Sequence, residues 1–182
     1  MIKAVFLDRD GTLIYDYGYL SDPAKVRPYA CARVALTLLQ KAGYRFFIVS
    51  NQSGIGRGYF SEDKAHAVNR RLCQLLRPIS FDEIVFCPHA PEDKCTCRKP
   101  KPEMGLKLIK KHHIDTARSF MIGDKKSDVN FGHAIGCQSI LVLTANGKKH
   151  LKKYPDLKPD FIAADLLRAA RFILRTENLC KK

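Results

Sequence analysis

The chain has no long apolar run. Nowhere do about 18 consecutive apolar residues stand together, the length that a membrane-spanning helix needs, so no membrane span is expected. Met1-Ile2-Lys3 leads toward a strand without the apolar stretch of a secretory signal, and a cytoplasmic location is the expectation. There is no internal repeat and no low-complexity tract. Acidic residues are scarce: 18 stand against 32 basic ones, for a net charge of +14. Such a surface attracts anions and could bind nucleic acid weakly without a dedicated site. The densest basic run, Lys148, Lys149, Lys152, Lys153 and Lys158, lies among Gly147, Pro155 and Pro159 and reads as a solvated loop within a basic segment, 145–182.

What is present suits one domain spanning 1–182, long enough to bury a proper core. Strands are expected over 4–7, 45–49, 83–86, 119–122, 139–143 and 161–163, each a short apolar run. Helices are expected over 30–42, 61–76, 104–112, 127–135 and 165–176. Ser61 reads as an N-cap, with Glu62 and Asp63 complementing the helix dipole, and Gly43 and Gly136 fit helix ends. This alternation implies a parallel sheet covered on both faces, an α/β fold of three layers. The connections leave no room for a separate lid domain.

In such folds ligands bind at the carboxyl ends of strands, and chemically able residues stand at those ends. Asp8-Arg9-Asp10-Gly11-Thr12 follows the first strand. Two carboxylates two residues apart face one way on extended backbone and repel each other unless a cation lies between them. They offer a nucleophile and a proton carrier; the plainer alternative is an Asp-rich turn. Ser50, Asn51, Gln52 and Ser53 follow the second strand and offer a hydroxyl, amides and backbone N–H groups to a phosphate. Asp124 follows the fourth, where it could complete a metal site with Asp8, while Asp128 braces the loop or ligates through water. Few carboxylates plus water and phosphate oxygens suit Mg2+. Lys125, Arg98 and Lys99 supply positive charge, Arg98 as a planar fork for substrate oxygens.

Seven cysteines are present. Cys31, Cys73 and Cys137 read as small buried thiols, and Cys180 as an exposed residue of the tail. Cys87, His89, Cys95 and Cys97 are clustered. Three thiolates and one imidazole suit tetrahedral Zn2+ with no open position, hence a structural site. Free thiols or a disulfide are the alternatives, the latter disfavoured in a reducing compartment. Zinc would tie down the loop 87–97 and orient Arg98 and Lys99. The other histidines, His66, His112, His113, His133 and His150, read as surface or helix residues.

Asp8-x-Asp10-Gly-Thr, Ser50-Asn51-Gln52, Arg98-Lys99 and Gly123-Asp124-Lys125-x-x-Asp128 together resemble the four motifs of the haloacid dehalogenase superfamily phosphatases. The Cys-x-His…Cys-x-Cys pattern resembles its zinc-bearing subgroup, whose members act on heptose bisphosphate or histidinol phosphate. The resemblance covers roughly residues 3 to 145. It implies a Rossmann-like fold without a large cap domain. It implies Asp8 as nucleophile, Asp10 as acid and then base, and Mg2+ held by Asp8, the Asp10 carbonyl and Asp124. Ser50 and Lys99 would hold phosphoryl oxygens. Asp16, Tyr17, Gly18, Tyr19, Asn51, Gln52, Ser53, Arg98 and Lys125 would contact substrate. Asp16–Tyr19 and the glycine-rich stretch after Asn51 look more like the heptose branch. The 7-phosphate of D-glycero-D-manno-heptose 1,7-bisphosphate is therefore the expected target, in lipopolysaccharide or S-layer glycan synthesis. Histidinol phosphate is the alternative. A zinc-containing nucleic-acid-binding protein, or a nucleic-acid end phosphatase, is the reading that the charge prompts; it lacks aromatic interleaving and a recognition helix. A small phosphorylated sugar, no specific nucleic acid, no membrane and a monomer are the expected partner set.

Overall fold

The computed structural model describes residues 1–179. Among them six strands, β1 (Ala4–Leu7), β2 (Arg45–Asn51), β3 (Glu83–Cys87), β4 (Phe120–Gly123), β5 (Gln138–Val142) and β6 (Phe161–Ala163), form one sheet in the order β3-β2-β1-β4-β5-β6. Every pairing is parallel, and Val5 of β1 stands opposite both Phe46 of β2 and Phe120 of β4. The helices are α1 (Ala32–Lys41), α2 (Ser53–Gly56), α3 (Glu62–Leu76), α4 (Glu103–His112), α5 (Lys126–Ala134), α6 (Gly147–Lys153) and α7 (Leu166–Leu179).

Side chains alternate across each strand, and each set has its own helical cover. Val5, Leu7, Phe46, Ile48, Ile122 and Ile140 pack with Leu36 and Leu39 of α1, Leu72 of α3 and Ile173 of α7. Ala4, Phe6, Phe47, Val49 and Met121 pack with Met104 and Leu108 of α4 and Phe131 of α5. Cover on both faces explains why the β1 stretch is continuously apolar rather than alternating. The chain runs outward from β1 to β3, then returns to β4 on the other side of β1. That reversal opens a crevice at the carboxyl ends of β1, β2 and β4. No domain-sized insertion covers it: residues 8–31 carry one short 3-10 turn, Pro23–Lys25.

The expected strands and the five long helices are all present. The basic run after β5 is corrected from loop to helix. Gly147 opens α6 so close to β5 that a Cβ there would lie 2.0 Å from the Val142 carbonyl oxygen. Lysines favour helix and sit well near its C-terminal end, so Lys148–Lys153 continue the turn. The short α2 was also not expected. Ser61 does precede α3, but its hydroxyl makes no cap; its carbonyl receives Lys64 N and Ala65 N. Cys137 is buried, whereas Cys31 and Cys73 are only half-buried: Cys31 packs at the edge of the core just before α1, and Cys73 of α3 borders an open surface groove. Cys180 lies outside the described residues. Among the described residues no helix is long and apolar enough to cross a membrane.

Candidate active site

Asp8 continues the β1 ladder, donating its N–H to the Ile122 carbonyl at 2.9 Å. Gly11, at φ +90°, then turns the chain; a Cβ at this position would meet Asp124 Oδ2 at 2.4 Å. Only a residue without a side chain lets the first loop press against the fourth strand's aspartate. Asp124 is fully buried, and Asp128 lies in the first turn of α5. One oxygen from each of Asp8, Asp124 and Asp128 lies within 4.8 Å of the others.

Three buried carboxylates this close repel one another. Burial, followed by the charges of Asp8 and Asp128, pushes Asp124 up to about 7 despite Lys125. Asp128 is raised as well, mainly by burial. Burial also acts to raise Asp8, but Lys99 and Lys125 outweigh it and leave this carboxyl below its ordinary value. Asp124 Oδ1 is buried and accepts no hydrogen bond. An orphaned carboxylate oxygen beside two other carboxylates is a donor set that fits a hard divalent cation.

Lys99 is 3% exposed, and its ammonium bridges Asp8 Oδ1 at 2.9 Å and Asp128 Oδ1 at 2.8 Å. Burial acts to lower its pKa, yet Asp128 and Asp8 raise it overall, so it stays charged. The Asn51 amide fixes its backbone, accepting from Lys99 N at 3.0 Å and donating to Lys99 O at 3.1 Å. Gln52 Nε2 donates to Asp10 Oδ2 at 2.9 Å and to Ser50 Oγ at 2.7 Å. Arg9, fully buried, donates to Asp10 Oδ2 at 3.0 Å, Gln52 Oε1 at 2.9 Å and Asn69 Oδ1 at 2.9 Å. Arg9 holds Asp10 in place, a role that motif reading passes over by treating the position as a spacer. Its signal was a guanidinium between two aspartates at the end of a buried strand.

A cleft of about 350 Å³ opens above these groups, lined by Asp8, Asp10, Asp16, Gly18, Tyr19, Ser50, Asn51, Gln52, Ser53, Arg98, Lys99 and Lys125. Tyr17 does not line it and is 58% exposed, so the structure does not bring this expected contact to the cleft. Both oxygens of Asp16 are engaged within the protein: Oδ1 receives Gly18 N at 2.8 Å, and Oδ2 receives Lys125 Nζ and Asn146 Nδ2, each at 3.2 Å. Lys125 Nζ lies 3.5 Å from Asp124 Oδ1 and 3.9 Å from Asp8 Oδ2. Asn146, which also bonds Asp124, was not foreseen, because it lies in a loop with no motif.

The four atoms Cys87 Sγ, His89 Nδ1, Cys95 Sγ and Cys97 Sγ converge within 4.8 Å of one another. Their closest separations run from 3.1 Å (Cys87 to Cys97) through 3.3 Å (His89 to Cys97) to 3.7 Å (Cys87 to His89). Zn–S bonds of about 2.3 Å set sulfurs about 3.8 Å apart on a tetrahedron, so this knot fits Zn2+ with small expansion. A disulfide needs about 2.05 Å, and all three thiols are free. The knot is tied to the cleft: Gln52 N donates to Cys87 O at 2.8 Å, and Arg98 Nη1 donates to His89 O at 3.1 Å.

Known proteins match this chain on several measures. The HAD-hydrolase-like family model matches residues 96–169. The D-glycero-beta-D-manno-heptose-1,7-bisphosphate 7-phosphatase of Helicobacter pylori strain J99 is 41% identical over 150 residues, 81% of this chain and 86% of that protein. The histidine biosynthesis bifunctional protein HisB of Blochmanniella floridana is 37% identical over 145 residues, 76% of this chain but 40% of that protein. The D,D-heptose 1,7-bisphosphate phosphatase from B. bronchiseptica, crystallised with magnesium and phosphate, superposes with a TM-score of 0.87 at 29% identity, over 96% of this chain and 99% of that one. The fold, the converging aspartates and these likenesses agree: the chain belongs to the haloacid dehalogenase-like phosphatases, alongside the heptose-bisphosphate 7-phosphatases.

Proposed function

We propose that the protein is a Mg2+-dependent phosphomonoesterase that removes the 7-phosphate of D-glycero-D-manno-heptose 1,7-bisphosphate by way of a phosphorylated Asp8. The observation that carries this reading is the trio of buried carboxylates faced by Lys99 and Lys125 beneath an open cleft. Asp8, Asp124 and the Asp10 carbonyl would hold the cation, with Asp128 behind Lys99. When bound, the cation neutralises the carboxylates and the phosphoryl oxygens, so that an anionic nucleophile can approach an anionic substrate.

Asp8 attacks phosphorus; an Asp8 O–P bond forms while the bond to the sugar oxygen breaks. Asp10, aimed by Arg9 and Gln52, gives its proton to that leaving oxygen. Asp10 then takes a proton from water, the hydroxide attacks phosphorus, and the Asp8 O–P bond breaks to release inorganic phosphate. Lys99 and Ser50 steady the phosphoryl oxygens. Acid–base help supplies only about 10²–10⁴-fold, so stabilisation of charge by Lys99 and the cation must supply most of the acceleration.

Arg98 and Lys125 on the wall of the cleft favour a substrate with a second phosphate. Histidinol phosphate would bring an ammonium and an imidazole to these cations, which makes it the poorer fit. The zinc knot acts structurally, and the chain works as a single cytoplasmic domain and a monomer without a specific nucleic-acid partner. Asp8→Asn should abolish phosphate release while leaving the circular dichroism spectrum unchanged; turnover in that variant would remove Asp8 as nucleophile. Steady-state kinetics on both phosphoesters should favour the heptose compound, and a large preference for histidinol phosphate would overturn the substrate assignment.

A further inference from the structure

The loop between β5 and α6 carries none of the motifs above, yet it grips the acidic cluster. Asn146 donates twice to Asp124 Oδ2, from its backbone N–H at 3.0 Å and from Nδ2 at 3.0 Å. Nδ2 also lies 3.2 Å from Asp16 Oδ2. Just before it, Thr144 Oγ1 donates to the Gly11 carbonyl at 2.5 Å. Ala145 holds a left-handed φ of 38°, a conformation that residues with a Cβ adopt only at a cost. The loop is thus bent to place residue 146 against the aspartate.

The consequence is an asymmetric carboxylate. Oδ2 of Asp124 takes two hydrogen bonds, whereas Oδ1 is buried and accepts none, with only the Lys125 ammonium facing it at 3.5 Å. A carboxylate free to rotate would exchange the two oxygens; one clamped on a single oxygen cannot. We propose that Asn146 is a positioning residue that locks Asp124 so that Oδ1 is the oxygen offered to a divalent cation, and that it couples this carboxylate to the Asp16 loop at the cleft mouth. The identity of the cation, Mg2+, rests on the phosphatase reading above.

The test is calorimetric titration of the substrate-free protein with Mg2+, alongside thermal unfolding. Groups that orient a metal ligand typically govern about 10–100-fold in affinity. Asn146→Ala keeps the backbone N–H, so the expected loss is near the lower end, about tenfold. Asn146→Ser, which retains a short donor, should fall between wild type and the alanine variant. Excess Mg2+ should restore kcat in both variants, and Lys148→Ala, two residues on and exposed on α6, should bind like wild type. The unfolding midpoint without Mg2+ should stay unchanged; if the alanine variant unfolds, the serine variant decides by the same comparison. Unaltered Mg2+ affinity in the variants overturns this inference alone. A wild-type protein that binds no Mg2+ overturns the phosphatase reading together with it.

Discussion

Asp124 is held at a cost. Without a cation its carboxyl sits at about 7, first because of burial and then because of Asp8 and Asp128. A group whose folded pKa lies above its unfolded one binds a proton in the native state that the unfolded chain has lost. Its contribution to stability is therefore present below about pH 4 and is lost as pH rises through about 7. Cation binding runs the other way, since the ligand must shed that proton. Mg2+ affinity should rise as pH is raised from about 6 to about 8, measured by calorimetry; a flat or falling profile would contradict the assignment. By the same logic, Asp124→Asn should melt higher than wild type in the absence of Mg2+ and should bind no Mg2+. Of the residues that do the aiming, Arg9 carried a faint signal, a guanidinium between two aspartates, but its geometry is fixed by Asn69, 60 residues on. Asn146 was not legible, because an asparagine in a loop acquires its role only from an aspartate 22 residues distant.

At the scale of elements, the strands were legible because cover on both faces leaves short continuous apolar runs, and the long helices because each buries one face and so leaves a period. α6 was not, because its positions carry lysine on nearly every side and its anchor is one glycine against a carbonyl. The loop 87–97 was legible for a different reason: Cys and His at such spacing have few other uses. This segment has one 3-10 turn, Pro91–Asp93, beside the convergence of its four Cys and His side chains. Arg98, which lines the cleft and donates to the His89 carbonyl, ties the knot to the site. Zinc should be found at one equivalent per chain by elemental analysis. Its removal by a chelator should lower the unfolding midpoint and raise KM in a way that added Mg2+ does not repair. Retention of both properties in zinc-free protein would detach this loop from the site.

For the whole molecule the dominant quantity is charge. A net +14 surface draws an anionic phosphoester toward the cleft from beyond contact range. Salt shortens that reach, to about 8 Å at physiological ionic strength and about 3 Å at 1 M. Raising salt should therefore lower kcat/KM while leaving kcat nearly unchanged; equal falls in both would place the effect on the chemistry instead. The account as a whole stands on transfer of the phosphoryl group to Asp8. Rapid acid quench during turnover, borohydride reduction and peptide mapping would read that transfer: a trapped acyl phosphate is reduced to homoserine at position 8. The account predicts homoserine there in wild type with substrate and Mg2+, and none without substrate. Continued phosphate release with no modification at position 8 under pre-steady-state sampling would contradict it.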